Sequence, residues 1–224
     1  MSSPSTAIST TVLKSLPFFA SFTPEQLREL APLVMRRSAG RGVALMREGD
    51  PVDCLFVIVT GRVKVMVGEA DGKETILAIL GPGEFFGEMS LIDDNPRSAS
   101  VIAVEPCEMF AITRRAFRKF LVENPDLAMA VMRVLVRRLR EADRKIASLA
   151  MLDVYGRVAR LLLDMSENVN GQKVVTRRIS KQDIAKMIGA SREMVSKVMK
   201  DLQTSGYIEM QGTTIVLRDQ AARG

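Results

Sequence analysis

Between Val43 and Thr113 the apolar residues come in short β-rich runs: Cys54 to Val59, Val63 to Val67, Thr75 to Leu80 and Ser100 to Val104. Glu48-Gly49-Asp50, Thr60-Gly61, Asp71-Gly72 and Gly81-Pro82-Gly83 separate the runs and read as turns. Strands so evenly spaced predict an antiparallel jelly roll or barrel. After Asn124-Pro125 the period changes to a helical one that lasts to about Leu152, with Met132, Leu135, Leu139, Ala142, Ile146 and Leu149 stepping 3, 4, 3, 4, 3. That stepping is a two-helix seam and predicts a parallel dimer, the alternative being a helix packed on its own domain. No single layer accommodates both patterns, so the fold class expected is α+β with at least two domains.

The chain of 224 residues with 47% hydrophobic content can fill more than one small core. Ahead of the β region, Thr23-Pro24-Glu25-Gln26 supplies an N-cap, a proline at the first helical position and a capping-box Gln. Leu27, Leu30, Leu33 and Val34 follow at helical spacing and predict a short amphipathic helix. Met1 to Thr11 is Ser/Thr-rich without the basic-then-apolar order of a signal peptide, and is expected to fray. No apolar run approaches the roughly 18 residues of a membrane span. A cytoplasmic protein with no membrane partner is expected.

The functions open to the chain are narrowed by what it lacks. Cys54 and Cys107 are too few for a disulfide scaffold, a zinc site or a four-cysteine iron–sulfur cluster, and their strand-like surroundings suggest buried free thiols. With no histidine in the sequence, the commonest general base and the usual haem ligand are gone. No metal, haem or iron–sulfur cofactor is expected, and the chain is not read as an enzyme. The net charge of +6 favours contact with a polyanion.

Asp153 is a plausible N-cap after the long helix, placing a domain boundary near Met151 to Asp153. Beyond it, Ser180-Lys181-Gln182-Asp183 reads as a capping-box start, and Ser191-Arg192-Glu193 can start a second helix directly after Gly189-Ala190. This is the spacing of a helix-turn-helix. Ile184, Ile188, Ala190, Val195 and Val198 fall at the buried places, Ala185 is small where the helices cross, and Gly189 serves the turn. Tyr207 to Met210, the turn Gln211-Gly212 and Thr213 to Leu217 predict a β-hairpin wing. From Asp153 onward, Lys and Arg number 12 against 8 Asp and Glu, a modest attraction for phosphate in the right place. Lys181, Gln182, Ser191, Arg192, Glu193 and Lys197 are the candidate DNA-binding residues. Arg can bind guanine O6 and N7 with two hydrogen bonds, and Glu can accept from cytosine N4.

One β segment is denser than a jelly roll needs: Phe85-Phe86-Gly87-Glu88-Met89-Ser90-Leu91, a loop Ile92 to Pro96, then Arg97-Ser98-Ala99. A cyclic phosphodiester needs a buried cation, donors that come close, and an acceptor for the ribose hydroxyl. Arg97 can fork the phosphate, Ser98 adds donors, Gly87 allows close approach and Glu88 can accept from the 2′-hydroxyl; Met89 and Ala99 complete the candidate lining. The competing reading is a structural Glu88–Arg97 ion pair in an empty barrel.

With Gly87-Glu88, Pro96-Arg97-Ser98-Ala99, Leu149-Ala150-Met151-Leu152-Asp153-Val154 and Ser191-Arg192-Glu193 in this order, the sequence resembles the cAMP receptor protein branch of the Crp/Fnr regulators over nearly its whole length. The resemblance implies a cyclic-nucleotide-binding β roll at 12–124, a dimerisation helix at 125–152 and a winged helix-turn-helix at 153–224. It also implies a homodimer on pseudo-palindromic double-stranded DNA, with RNA polymerase as a further partner and the nucleotide as allosteric effector. Arg192, Glu193 and Lys197 correspond to its base-reading positions, although the best-known member has arginine at Lys197. Where cAMP-responsive members place Thr and Ser on the long helix, this chain has Ala142 and Asp143. Asp143 suits an adenine amine or the N1 and N2 donors of guanine, and Arg144 suits guanine O6. The effector therefore stays open between cAMP or cGMP and cyclic di-GMP, a ligand-independent DNA-binding regulator being the further alternative. Redox or haem sensing on this fold, a kinase or channel regulatory subunit, and an enzyme acting on cyclic nucleotides fit the residues less well.

Overall fold

The computed structural model describes residues 8–51, 53–68, 73–176 and 178–218. The predicted Asp71-Gly72 turn lies outside them, as do positions 1–7 of the expected fray. The chain divides into two compact units, Met1–Arg137 and Arg138–Gly224.

In the first unit, α1 (Thr10–Lys14) is capped by Ser9 and anchored by the buried Leu13, so the last residues assigned to the fray are ordered instead. Helix α2 (Pro24–Leu30) has the predicted capping box, with Thr23 and Gln26 exchanging hydrogen bonds. It stops earlier than its apolar spacing suggested. Pro32 cannot continue an α-helix because its ring clashes with the preceding turn. Ala31–Leu33 therefore tighten into a 3-10 turn, and Val34 already opens a strand.

Eight strands follow: β1 (Val34–Ala39), β2 (Ala44–Met46), β3 (Cys54–Thr60), β4 (Val63–Gly68), β5 (Glu74–Leu80), β6 (Phe85–Phe86), β7 (Ser100–Ala103) and β8 (Cys107–Thr113). They form two four-stranded sheets, ordered β1-β8-β3-β6 and β2-β7-β4-β5, with every pair antiparallel. Glycines stand in the connections from β2 to β3, from β3 to β4 and from β5 to β6, and Gly61 shows why one is needed: its φ is +81°, and an added Cβ would sit 2.3 Å from the Pro106 carbonyl oxygen. Between β6 and β7 lies α3 (Met89–Asp93), so Ile92 and Asp93, expected in a loop, are helical. The fully buried Leu91 pins that turn, and Asp94 closes it at φ 64° while pairing with Arg114 and Arg118.

Helix α4 (Arg114–Glu123), capped by Thr113, buries Phe117 and Phe120. Asn124 then accepts from the Leu127 N–H at 3.0 Å and starts α5 (Pro125–Met151). One core joins the N-terminal helices, α4 and the start of α5 to β3 and β8; a second fills the roll around Ile58, Val63, Val101 and Met109.

In the second unit, Asp153 accepts from the Gly156 N–H at 2.8 Å and caps α6 (Val154–Met165). The hairpin β9 (Glu167–Val169) and β10 (Gln172–Val175) precedes α7 (Lys181–Ile188), α8 (Arg192–Thr204) and the hairpin β11 (Ile208–Gln211) and β12 (Thr214–Leu217). The four strands form one sheet, ordered β11-β12-β10-β9. Val158, Leu162, Ile184, Ile188, Val195 and Leu202 lie in a single core. No helix among the described residues is long and apolar enough to cross a membrane.

Candidate functional site

In the first unit, the segment from Phe85 to Ala99 brings six predicted residues together. Arg97 is buried, with 3% of its surface exposed. Its Nη1 donates to the Gly87 carbonyl at 2.8 Å, and its Nη2 donates to the Cys54 carbonyl at 2.6 Å and to Asp53 Oδ1 at 2.9 Å. Asp53, not Glu88, is thus the carboxylate that meets Arg97. The Glu88–Arg97 pair of the competing reading is replaced by a carboxylate from the residue just ahead of β3. Glu88 is itself buried, Ala99 is buried, and Ser98 and Met89 are exposed, with the Ser98 hydroxyl 3.9 Å from the Met89 sulfur.

Gly87 is required twice over. Its φ is +84°, and an added Cβ would lie 2.7 Å from Arg97 Nη1 and 3.2 Å from the Cys54 carbonyl oxygen. The backbone and the guanidinium approach each other only because no side chain intervenes. A buried guanidinium beside exposed hydroxyl and backbone donors can take an anionic phosphodiester.

The electrostatics of the pair are asymmetric. Burial pushes the Asp53 carboxyl up, but hydrogen bonds from the Cys54 thiol and N–H, with the Arg97 charge, outweigh it and hold the group below its ordinary value. The Cys54 thiol is pushed up to about 12, by burial first and then by Asp53. Burial likewise raises Cys107. Both cysteines are free and buried, as expected.

Asp143 and Arg144 lie on α5 in the second unit, and both are exposed. On the same helix the predicted seam is open to solvent: Met132, Leu139, Ile146 and Leu149 are exposed, Leu139 to 62% and Ile146 to 65%, and Leu135 is half-buried.

In the reader, Ile184, Ala185, Ile188, Val195 and Val198 are buried and Ala190 is half-buried, in the predicted pattern. Gly189 takes φ +62° and turns the chain between α7 and α8. Arg157 on α6 donates from Nη1 to the Ile188 carbonyl at 2.8 Å, which ties that turn down. Ser180 and Ser191 cap α7 and α8 by accepting from the Asp183 and Met194 N–H groups. The Ser191 oxygen thus accepts from the helix start. Lys181 Nζ donates to Ser196 Oγ at 3.0 Å, joining the start of α7 to α8. Gln182, Arg192, Glu193 and Lys197 are exposed. Glu193 is held below its ordinary value by its own N–H first and then by the Ser191 hydroxyl, so it is an ionised acceptor at neutral pH.

Two residues beside the candidate sites escaped the sequence reading. Asp53 carries no local signal, because its partner lies 44 residues away. Lys200 did carry one: it is exposed one turn after Lys197, on the same face.

Residues 36–124 match the family model of the cyclic nucleotide-binding domain, and residues 156–222 match the Crp-like helix-turn-helix domain. A CRP-like cAMP-activated global transcriptional regulator of Mycobacterium tuberculosis is 32% identical over 93% of this chain and 95% of its own length. The cAMP-activated global transcriptional regulator CRP of Pasteurella multocida is 38% identical over 77% of this chain and 85% of its own. Among solved structures, the c-di-GMP responsive global regulator CLP of Xanthomonas campestris is similar with a TM-score of 0.74 at 29% identity, covering 88% of this chain and 100% of that one. A match to the cyclic nucleotide-binding domain and to the Crp-like helix-turn-helix domain in one polypeptide, together with relatives alike over most of their length, means that the chain belongs to the Crp family of transcription regulators.

Proposed function

We propose that the chain is a homodimeric regulator in which a 3′,5′-cyclic nucleotide, its phosphate on Arg97, governs sequence-specific DNA binding. The observation that carries this is the buried Arg97 guanidinium wedged against Gly87, where only glycine leaves room. Gly87, Glu88, Met89, Ser98 and Ala99 form the rest of the phosphate and ribose site. The domains run 12–124, 125–152 and 153–224, a division supported by the end of α5 at Met151 and by the Asp153 cap of α6. The open apolar seam of α5 pairs with that of a second copy. Ligand favours the dimer state whose recognition helices stand about 34 Å apart, matching successive major grooves. Arg192, Glu193 and Lys197 read bases; Lys181, Gln182 and Ser191 hold the backbone. The protein works in the cytoplasm with RNA polymerase and catalyses no reaction.

The effector we favour is a cyclic monophosphate, in line with relatives named as cAMP-activated. Cyclic di-GMP is the second reading, favoured by the exposed Asp143 and Arg144, which suit a guanine edge. Calorimetric titration with cAMP, cGMP and cyclic di-GMP tests all three. Arg97→Ala is expected to remove both nucleotide binding and nucleotide-dependent DNA binding, and unchanged ligand affinity in that variant would reject the site.

A further inference from the structure

The solvent face of α8 is charged or polar at every exposed position but one. Met194 is 48% exposed, while Val195, Val198, Met199 and Leu202 supply the buried face without it. Its place on the helix is well defined. It is the third residue of α8, and its N–H donates to the Ser191 hydroxyl at 3.2 Å, which fixes the first turn. Helical side chains lean toward the N-terminus, so the thioether covers that turn beside Glu193, with Lys197 one turn on. The first turn of a recognition helix is the part that reaches base edges. Only one group on the major-groove edges of the bases is apolar, the C5 methyl of thymine. A thioether on three rotatable bonds can settle against such a methyl where a branched side chain would need an imposed geometry.

We propose that Met194 reads a thymine methyl in each DNA half-site, adding apolar discrimination to the hydrogen bonds of Arg192 and Glu193. The proposal rests on α8 being the groove helix. It specifies an apolar base contact distinct from the hydrogen bonds of the charged residues.

The test is a cycle in which methyl and thioether are removed separately and together. A preferred site is first selected from random duplex DNA with the full chain, with cAMP and again without it. Each thymine of that site is then replaced in turn by deoxyuridine, which deletes only the methyl, and affinities of wild type and Met194→Ala are measured at one salt concentration. At one thymine per half-site, deoxyuridine is expected to weaken wild-type binding about fourfold, the value of one buried methyl-sized group. The same replacement should leave Met194→Ala unchanged. A cycle showing equal losses for both proteins at every thymine would overturn the proposal while leaving the reader intact. Failure to select any sequence would overturn the reader and this contact together. Because Met194 is exposed, the variant should keep the wild-type circular dichroism spectrum and melting temperature, separating loss of contact from loss of fold.

Discussion

The ion pair between Arg97 and Asp53 has one end in the protein and the other in water, and that asymmetry fixes what Asp53→Asn should do. Arg97 exposes 2% of its side chain and Asp53 79% of its own. Asparagine keeps an oxygen where Asp53 Oδ1 accepts at 2.9 Å and removes only the charge. The loss is then the difference between a charge-assisted and a neutral hydrogen bond, about 1 kcal/mol. The 3–5 kcal/mol typical of a fully buried pair does not apply, because water screens Asp53 and the Cys54 and Gly87 carbonyls still accept from the guanidinium. Melting of the ligand-free protein should fall by about 3 °C. The acid limb should flatten as well. A carboxyl held below its ordinary 3.8 stabilises the fold above that value and loses the contribution as pH falls through its depressed one, and Asn has no such contribution to lose.

Nucleotide binding should move the opposite way. With the phosphodiester on Arg97, its anion stands near the Asp53 carboxylate, and at about 6 Å in a water-like dielectric the repulsion is about 0.7 kcal/mol. Asp53→Asn should therefore bind its nucleotide about threefold more tightly at low salt, with the advantage shrinking as salt is added. Calorimetry with cAMP, cGMP and cyclic di-GMP, beside thermal melts from pH 3 to 7, measures both effects. A tenfold or greater loss of affinity in Asp53→Asn would refute the reasoning, since it would mean that the carboxylate holds Arg97 in its binding orientation and does not compete for it.

Gly87→Ala would put a Cβ 2.7 Å from Arg97 Nη1 at φ +84°, so a stability loss of about 1–3 kcal/mol and more than tenfold weaker nucleotide binding are expected from melting and calorimetry. Leu139→Glu with Ile146→Glu should turn a dimer into a monomer in sedimentation velocity, because each side chain forfeits about 2 kcal/mol of burial; a wild type that already sediments as a monomer would remove the seam. At pH 8 the Cys54 thiol, pushed up to about 12, should resist iodoacetamide in the folded protein and react once unfolded. Its stabilising contribution should be complete below its ordinary 9.0 and be lost as pH rises from there toward about 12. Arg192→Ala should relax base preference at one position per half-site in a selection experiment, and an unaltered motif would count against its base-reading role.

What could be read from the sequence was whatever short-range chemistry determines. The helix-turn-helix was legible because Ser180, Gly189 and Ser191 punctuate helices whose burial pattern is set by their own 3.6-residue period. The hairpin of β9 and β10 carries a signal of the same kind in Asn170-Gly171, which take positive φ in the two-residue turn that such a pair favours. The apolar spacing through Val34 predicts a longer α2 than forms, because Pro32, a proline inside a helical pattern, is a stop of comparable strength. The nucleotide site divides along the same line. Gly87 and Arg97 stand close enough in sequence to read as one cassette, whereas Asp53 reaches Arg97 only because β3 pairs with both β6 and β8. That pairing sets Phe56 opposite Phe86 and carries the start of β3 past the guanidinium. The buried Arg97 takes a counter-charge from the protein, and which acid supplies it follows from strand register. Glu88, adjacent to Gly87, is the acid the cassette itself offers; Asp53 is the one the antiparallel register delivers.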